Sequence, residues 1–182
     1  MHRPPGFSGA TSASYVRDAT TGTPMGLLGC RHVLPTTTVG AAVPMRGAPD
    51  QTVVAVSNEN VDLAVVSSPT PVPVSPRHVH RWPAQWQPCA IDGDVSLMKS
   101  ARIADITNTW GVFGDPLLPV AVDLDDVGMH GDSGAAVVDT IASPPGGVCG
   151  VYRGAVNNAG PPRGTARHIQ QVEKVMNVEL VE

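Results

Sequence analysis

The chain of 182 residues has little clustered charge, few aromatics and no long apolar run. Its 12 basic and 16 acidic residues leave a net charge of −4, and the basic side chains form no run beyond the weak pair Arg163 and Arg167. Phosphate binding needs clustered Lys and Arg, so a nucleic-acid partner is not expected. No segment approaches the ~18 apolar residues of a membrane helix, and Met1-His2-Arg3-Pro4-Pro5-Gly6 lacks the apolar core of a secretory leader. No membrane partner and a cytoplasmic location are therefore expected. Cysteine is scarce as well: Cys30, Cys89 and Cys149 are an odd set at wide spacings without a C-x-x-C pair. They make neither a disulfide framework nor a zinc signature, and are read as small buried apolar side chains in a reducing compartment. No metal and no cofactor are expected.

What the chain has in quantity is punctuation, with 19 Gly and 18 Pro against two Phe and two Tyr. Gly and Pro between short Val- and Ala-rich runs point to many turns and short strands. In the first half the runs are Gly26–Cys30, Thr52–Val56 and Val61–Val66, each of strand length and composition. The Pro-rich stretch from Ser67 to Pro88 cannot supply ladder donors regularly and reads as a connector between two halves. A second series follows: Val95–Met98, Arg102–Ile106, Leu118–Val122, Ala135–Val138 and Gly147–Tyr152. From His168 to Met176 the apolar positions Ile169, Val172, Val175 and Met176 recur at helical steps, so a short helix is expected to close the chain. With no repeat of fixed period, one compact unit of two β-rich halves is the simplest organisation.

Three positions carry chemistry. In Gly131-Asp132-Ser133-Gly134, small residues around a serine let the backbone turn, bare the hydroxyl and converge the N–H groups of Gly131 and Ser133 on one point. Those are the needs of an acyl-transfer nucleophile and its oxyanion, although the same residue types also make ordinary turns. His32, at the end of an apolar run and before Pro35, is either a structural histidine or a base; His130, next to the serine, is its competitor, disfavoured because the turn directs it away. Asp62 is a carboxylate in the apolar run Val61–Val66. It is either a strand-edge acid facing water or a buried acid with a task such as orienting an imidazole.

The order His32, Asp62, Ser133, with the local sequences Gly29-Cys30-Arg31-His32-Val33-Leu34, Asp62-Leu63-Ala64-Val65 and Gly131-Asp132-Ser133-Gly134, resembles the trypsin-like (chymotrypsin-fold) serine peptidases, and their compact bacterial-type members most. The resemblance covers about residues 22 to 182. It implies an all-β fold of two antiparallel six-stranded barrels with a short C-terminal helix. The single peptidase domain, 1–182, would divide into a first barrel over about 1–80, a second over about 89–165 and the helix over 166–177. It implies a serine endopeptidase acting on protein or peptide substrates, with His32 as general base, Asp62 as its orienting acid, Ser133 as nucleophile and the Gly131 and Ser133 N–H groups as oxyanion hole. The substrate pocket would have Val127 at its base, or Asp126 after a one-residue shift, and Val148, Cys149 and Gly150 as its wall. The chain departs from the family pattern in three ways. Ala135 stands where a second glycine is usual, the extracellular members' disulfides are missing, and no Ile-Val-Gly-Gly-type segment exists to supply a freed amine to Asp132, which then needs another partner or solvent. The alternative is a catalytically silent or latent copy of the fold, a peptide-binding or partner-regulated module; the segment from Ser100 to Trp110 is unusual for the family. A regulatory partner or larger parent assembly would suit a protease that must not digest its own cell.

Overall fold

The computed structural model describes residues 6–108, 119–141, 146–156 and 161–182. Met1 to Pro5, Thr109, Trp110 and Leu118, which figure in the sequence reading, lie outside the described residues. Among the described residues, twelve strands and one α-helix follow in order: β1 Ser14–Asp18, β2 Pro24–Cys30, β3 Ala42–Met45, β4 Ala48–Val56, β5 Leu63–Val66, β6 Pro88–Asp92, β7 Lys99–Asn108, β8 Pro119–Leu124, β9 Ala136–Asp139, β10 Val148–Val156, β11 Arg163–His168, α1 Ile169–Met176 and β12 Val178–Val181. All ladder pairings between these strands are antiparallel. One six-stranded sheet has the order β12-β1-β2-β5-β4-β3, and the other six strands close into a barrel, β10-β11-β8-β7-β6-β9. The all-β, two-lobed chymotrypsin-like architecture with a short C-terminal helix is the observed one. No helix among the described residues is long and apolar enough to cross a membrane.

The apolar runs are continuous rather than alternating because several strands are buried on both faces. In β5, Ala64 and Val66 point into the first sheet's own core with Phe7, Leu27 and Val53, while Leu63 and Val65 point into a second core between the lobes. In β9, Val137 fills the barrel with Ile91, Ile103 and Leu124, and Ala136 and Val138 face the inter-lobe core. The helix closes that shared core with Ile169, Val172 and Met176. Cys30 sits in the inter-lobe core and Cys89 and Cys149 in the barrel, all three buried and free.

Two elements differ from expectation. The run Val95–Met98 is the turn joining β6 to β7, not a strand: Ile91 pairs with Lys99, so the chain must reverse between them. Leu97 and Met98 take left-handed φ of 49° and 70° to do so. The helix is also shorter than the resemblance implied, since Arg163–His168 and Val178–Val181 on either side of it are strands. Asn177, with φ 51°, ends it in the left-handed conformation that such caps adopt.

Candidate active site

Strand pairing brings His32 to Asp62. β2 and β5 run antiparallel with Cys30 opposite Leu63, so the residues just after Cys30 lie beside the one just before Leu63. His32 sits in a single 3-10 turn, Arg31–Val33, that continues β2. Asp62 is buried in a left-handed conformation, φ 62°. That conformation is unusual for a non-glycine residue and is held in place. Asp62 N–H donates to Asn58 O at 2.9 Å and Val61 N–H to Asn58 Oδ1 at 3.0 Å, while Arg31 N–H donates to Asp62 O at 3.2 Å. From the barrel, Arg167 Nε donates to Val61 O at 2.8 Å, and its second nitrogen reaches Asn60 O.

The Asp62 carboxylate is fully engaged. Oδ1 accepts from His32 N–H at 2.9 Å, and Oδ2 pairs with His32 Nδ1 at 2.7 Å and accepts from Arg153 Nε at 2.9 Å. Burial pushes the Asp62 carboxyl up, but the hydrogen bonds from His32 and Arg153 outweigh it and hold the group below the usual carboxylate range. The donor atoms of Cys30, His32 and Asp62 lie within 4.8 Å of one another. Their polar atoms are otherwise engaged: burial raises the Cys30 thiol, which donates to Tyr152 O at 3.2 Å, and the imidazole and carboxylate engage each other.

The serine loop follows from close backbone approach. Gly134 has φ 94°, and a Cβ there would lie 2.1 Å from Thr11 O; Gly131 has φ 101°. Neither position admits another residue without strain. Thr11 ties the loop down, with its N–H on Ser133 O at 3.1 Å and its hydroxyl on Gly131 O at 3.1 Å. Within the loop, the N–H groups of Asp132, Gly134 and Ala135 donate to Met129 O, Tyr152 O and Asp132 O. Those of Gly131 and Ser133 have no acceptor among the described residues. Ser133 Oγ donates to Arg153 O at 3.0 Å, and no hydrogen bond joins it to His32 among the described residues.

His32 and Ser133 line one cavity of about 470 Å³ together with Val127, Gly128, His130, Gly131, Tyr152 and Ala155. Val127 is among the residues that line this cavity. Asp126 is not in that lining; it pairs with Lys99 at 2.9 Å, which lowers its carboxyl. Val148, Cys149 and Gly150 do not line the cavity either: they lie upstream in β10, with Val148 and Cys149 fully buried. The wall comes from the same strand further on, at Tyr152, Gly154 and Ala155. The residues that sequence reasoning missed are Arg153, Tyr152 and Thr11. For Arg153 a signal existed, since a lone cation ending an apolar run, Val148–Tyr152, parallels Asp62 in its own run. It sits where the β10–β11 register slips between Tyr152 and Gly154, and such a bulge re-aims a side chain.

In sequence, no family model and no curated protein matches the chain. In structure, the chain is similar to the chymotrypsin of Cellulomonas bogoriensis, with TM-score 0.68 at 13% identity over 98% of this chain and 97% of that one. Similar too are Thermobifida fusca protease A, with TM-score 0.69 at 15% identity over 98% and 96% of the two chains, and the Nocardiopsis protease NAPase, with TM-score 0.69 at 12% identity over 99% and 98%. Near-complete coverage in both directions at such low identity shows that this chain has the fold of the bacterial chymotrypsin-like serine proteases.

Proposed function

We propose that the protein is a serine endopeptidase in which His32, Asp62 and Ser133 act together. The observation that carries this reading is that His32, paired through Nδ1 with Asp62, lines one cavity with Ser133, beside two backbone N–H groups that have no acceptor among the described residues. Asp62 holds the imidazole in the tautomer that leaves Nε2 free as a base. Ser133 turns from the Arg153 carbonyl towards that nitrogen, gives up its proton and attacks a peptide carbonyl. The oxyanion forms against the N–H groups of Gly131 and Ser133, a pair of the kind in which one donor is worth about 3–4 kcal/mol of barrier. His32 then protonates the leaving amine, and a water it activates releases the acyl group.

The substrates on this reading are proteins or peptides with a small or apolar residue before the cut. Val127 and the ring of Tyr152 bound the cavity, and Lys99 neutralises Asp126, so no free acid is presented to a basic side chain. The second reading, a silent or latent binding module under a partner's control, draws on the Ser133 hydroxyl resting on Arg153 O instead of the imidazole.

A fluorophosphonate separates the two by intact mass. The peptidase gives one adduct, lost in Ser133→Ala and slowed at least ~100-fold in His32→Ala. A folded chain that takes up no adduct overturns the peptidase reading and leaves the silent module.

A further inference from the structure

Asp132 lies at the centre of the serine loop and is fully buried. A buried carboxylate needs its oxygens satisfied, and the sequence holds no Ile-Val-Gly-Gly-type segment to offer it a freed amine. The turn between β6 and β7 does so instead. Asp132 Oδ1 accepts from Val95 N–H at 3.2 Å and Ser96 N–H at 3.1 Å, and Oδ2 accepts from the Ser96 hydroxyl and from Met129 N–H at 2.7 Å. Two bonds on each oxygen fill the roughly four acceptor positions of a carboxylate, leaving no vacancy for an ammonium group. The donors are neutral backbone N–H groups and one hydroxyl, and all of them converge on this one carboxylate.

The turn is built for this contact. A Cβ at Gly93 would lie 2.1 Å from Asp132 Oδ1, so only glycine lets the turn come so close. Leu97 N–H closes it onto Gly93 O at 3.0 Å, and Leu97 and Met98 accept left-handed φ beyond it. That is conformational strain at two non-glycine residues, retained where it keeps the donors aimed. A second tie runs through Thr11, whose hydroxyl oxygen accepts from Asp94 N–H at 3.0 Å and whose hydroxyl donates to Gly131 O.

We propose that Ser96, with the backbone N–H groups of its turn, is the positioning residue that holds Asp132, and through it the Gly131 and Ser133 N–H pair, in the reactive arrangement, so that this chain requires no cleavage to free an activating amine. The inference rests on the peptidase reading for its effect on rate, but its structural half needs no turnover.

The test uses the full chain, with and without an N-terminal extension, and the variants Ser96→Ala and Ser96→Thr. Extended and unextended chains are expected to react with a fluorophosphonate at the same rate. Ser96→Ala is expected to lower the maximal labelling rate about tenfold or more while the half-saturating probe concentration moves less than about threefold, and Ser96→Thr, which keeps the hydroxyl, recovers most of the rate. In amide NMR spectra, Ser96→Ala is expected to shift the Gly131 and Ser133 signals while those of the distant β3–β4 hairpin stay in place. An extended chain that is inert until trimmed overturns the inference, as does Ser96→Ala labelling at the parental rate or leaving the Gly131 and Ser133 signals unmoved. If no chain labels and the amide signals still shift, the peptidase reading fails and the structural half of the inference stands.

Discussion

Tyr152 is almost fully buried, at 1% exposure, and yet forms part of the cavity wall. Its ring is clasped by glycine backbone: a Cβ at Gly128 would lie 2.9 Å from Cε1, and one at Gly164 3.1 Å from Cε2. Its hydroxyl accepts from Gly128 N–H at 2.8 Å. On the peptidase reading, the ring occupies depth that a substrate side chain would otherwise use. Tyr152→Val is expected to move the preference at the residue before the cut towards larger apolar side chains such as Leu or Phe, by about tenfold or more in kcat/KM, as read from a peptide series varied at that position. Tyr152→Phe keeps the ring and should leave the preference alone; an unchanged preference in Tyr152→Val would remove the ring from any part in selectivity. At this scale the sequence was legible where a residue clashed with its local setting. Asp62 in an apolar run and a serine between glycines both stood out; Ser133 lines one cavity with His32, and Asp62 pairs with that histidine. Tyr152 did not stand out, because a tyrosine at the end of a strand is unremarkable until Gly128 and Gly164 are known to flank it.

At the scale of the element, α1 depends on the residue before it. His168 is the N-cap, its Nδ1 accepting from Gln170 N–H at 3.2 Å, and it is 1% exposed. Burial, with a smaller contribution from the charge of His80, brings its imidazole down to about 4 from the model-compound value of 6.5. Because the folded value lies below the unfolded one, the unfolded chain takes up the proton first as pH falls. Stability from this group is therefore complete above about pH 6.5 and is lost progressively down to about pH 4. The full loss is on the order of 3 kcal/mol. His168→Asn retains a capping side chain without the titration and should flatten that part of the profile. The check is the urea midpoint at pH 7 and pH 4.5; an equal drop in both proteins would assign the acid sensitivity elsewhere. The helix itself was readable from its apolar spacing. Its flanking strands and the Val95–Met98 turn were not, since a run of four residues carries too little periodicity to tell strand from turn, and only the Ile91 to Lys99 pairing decides it.

In the whole molecule, the last strand returns to the first lobe. β12 follows the helix out of the barrel and pairs with β1, Tyr15 opposite Val181, at the edge of the first sheet. Leu180 fills the inter-lobe core and Val181 the first sheet's core. The Pro-rich connector is fastened to the same strand, with Arg77 N–H on Leu180 O at 2.8 Å and Glu182 N–H on Ser75 O at 2.9 Å. Buried Arg77 also donates to Ala13 O at 2.7 Å. Removing residues 178–182 should therefore abolish the cooperative unfolding transition, as followed by circular dichroism in urea, rather than fray one end. A truncated chain with an unchanged midpoint would show that β12 is dispensable. The sequence by itself determined the β-rich class, the connector and a helix near the end, and it singled out the three residues of the candidate site, because each depends on local pattern or on a residue at odds with its neighbours. The tertiary structure alone decided which part of β10 walls the cavity, where Arg153 reaches, what satisfies Asp132 and which sheet takes the last strand. Those outcomes turn on strand register and on contacts between residues far apart in the chain, which exist only once both lobes have closed on their shared core.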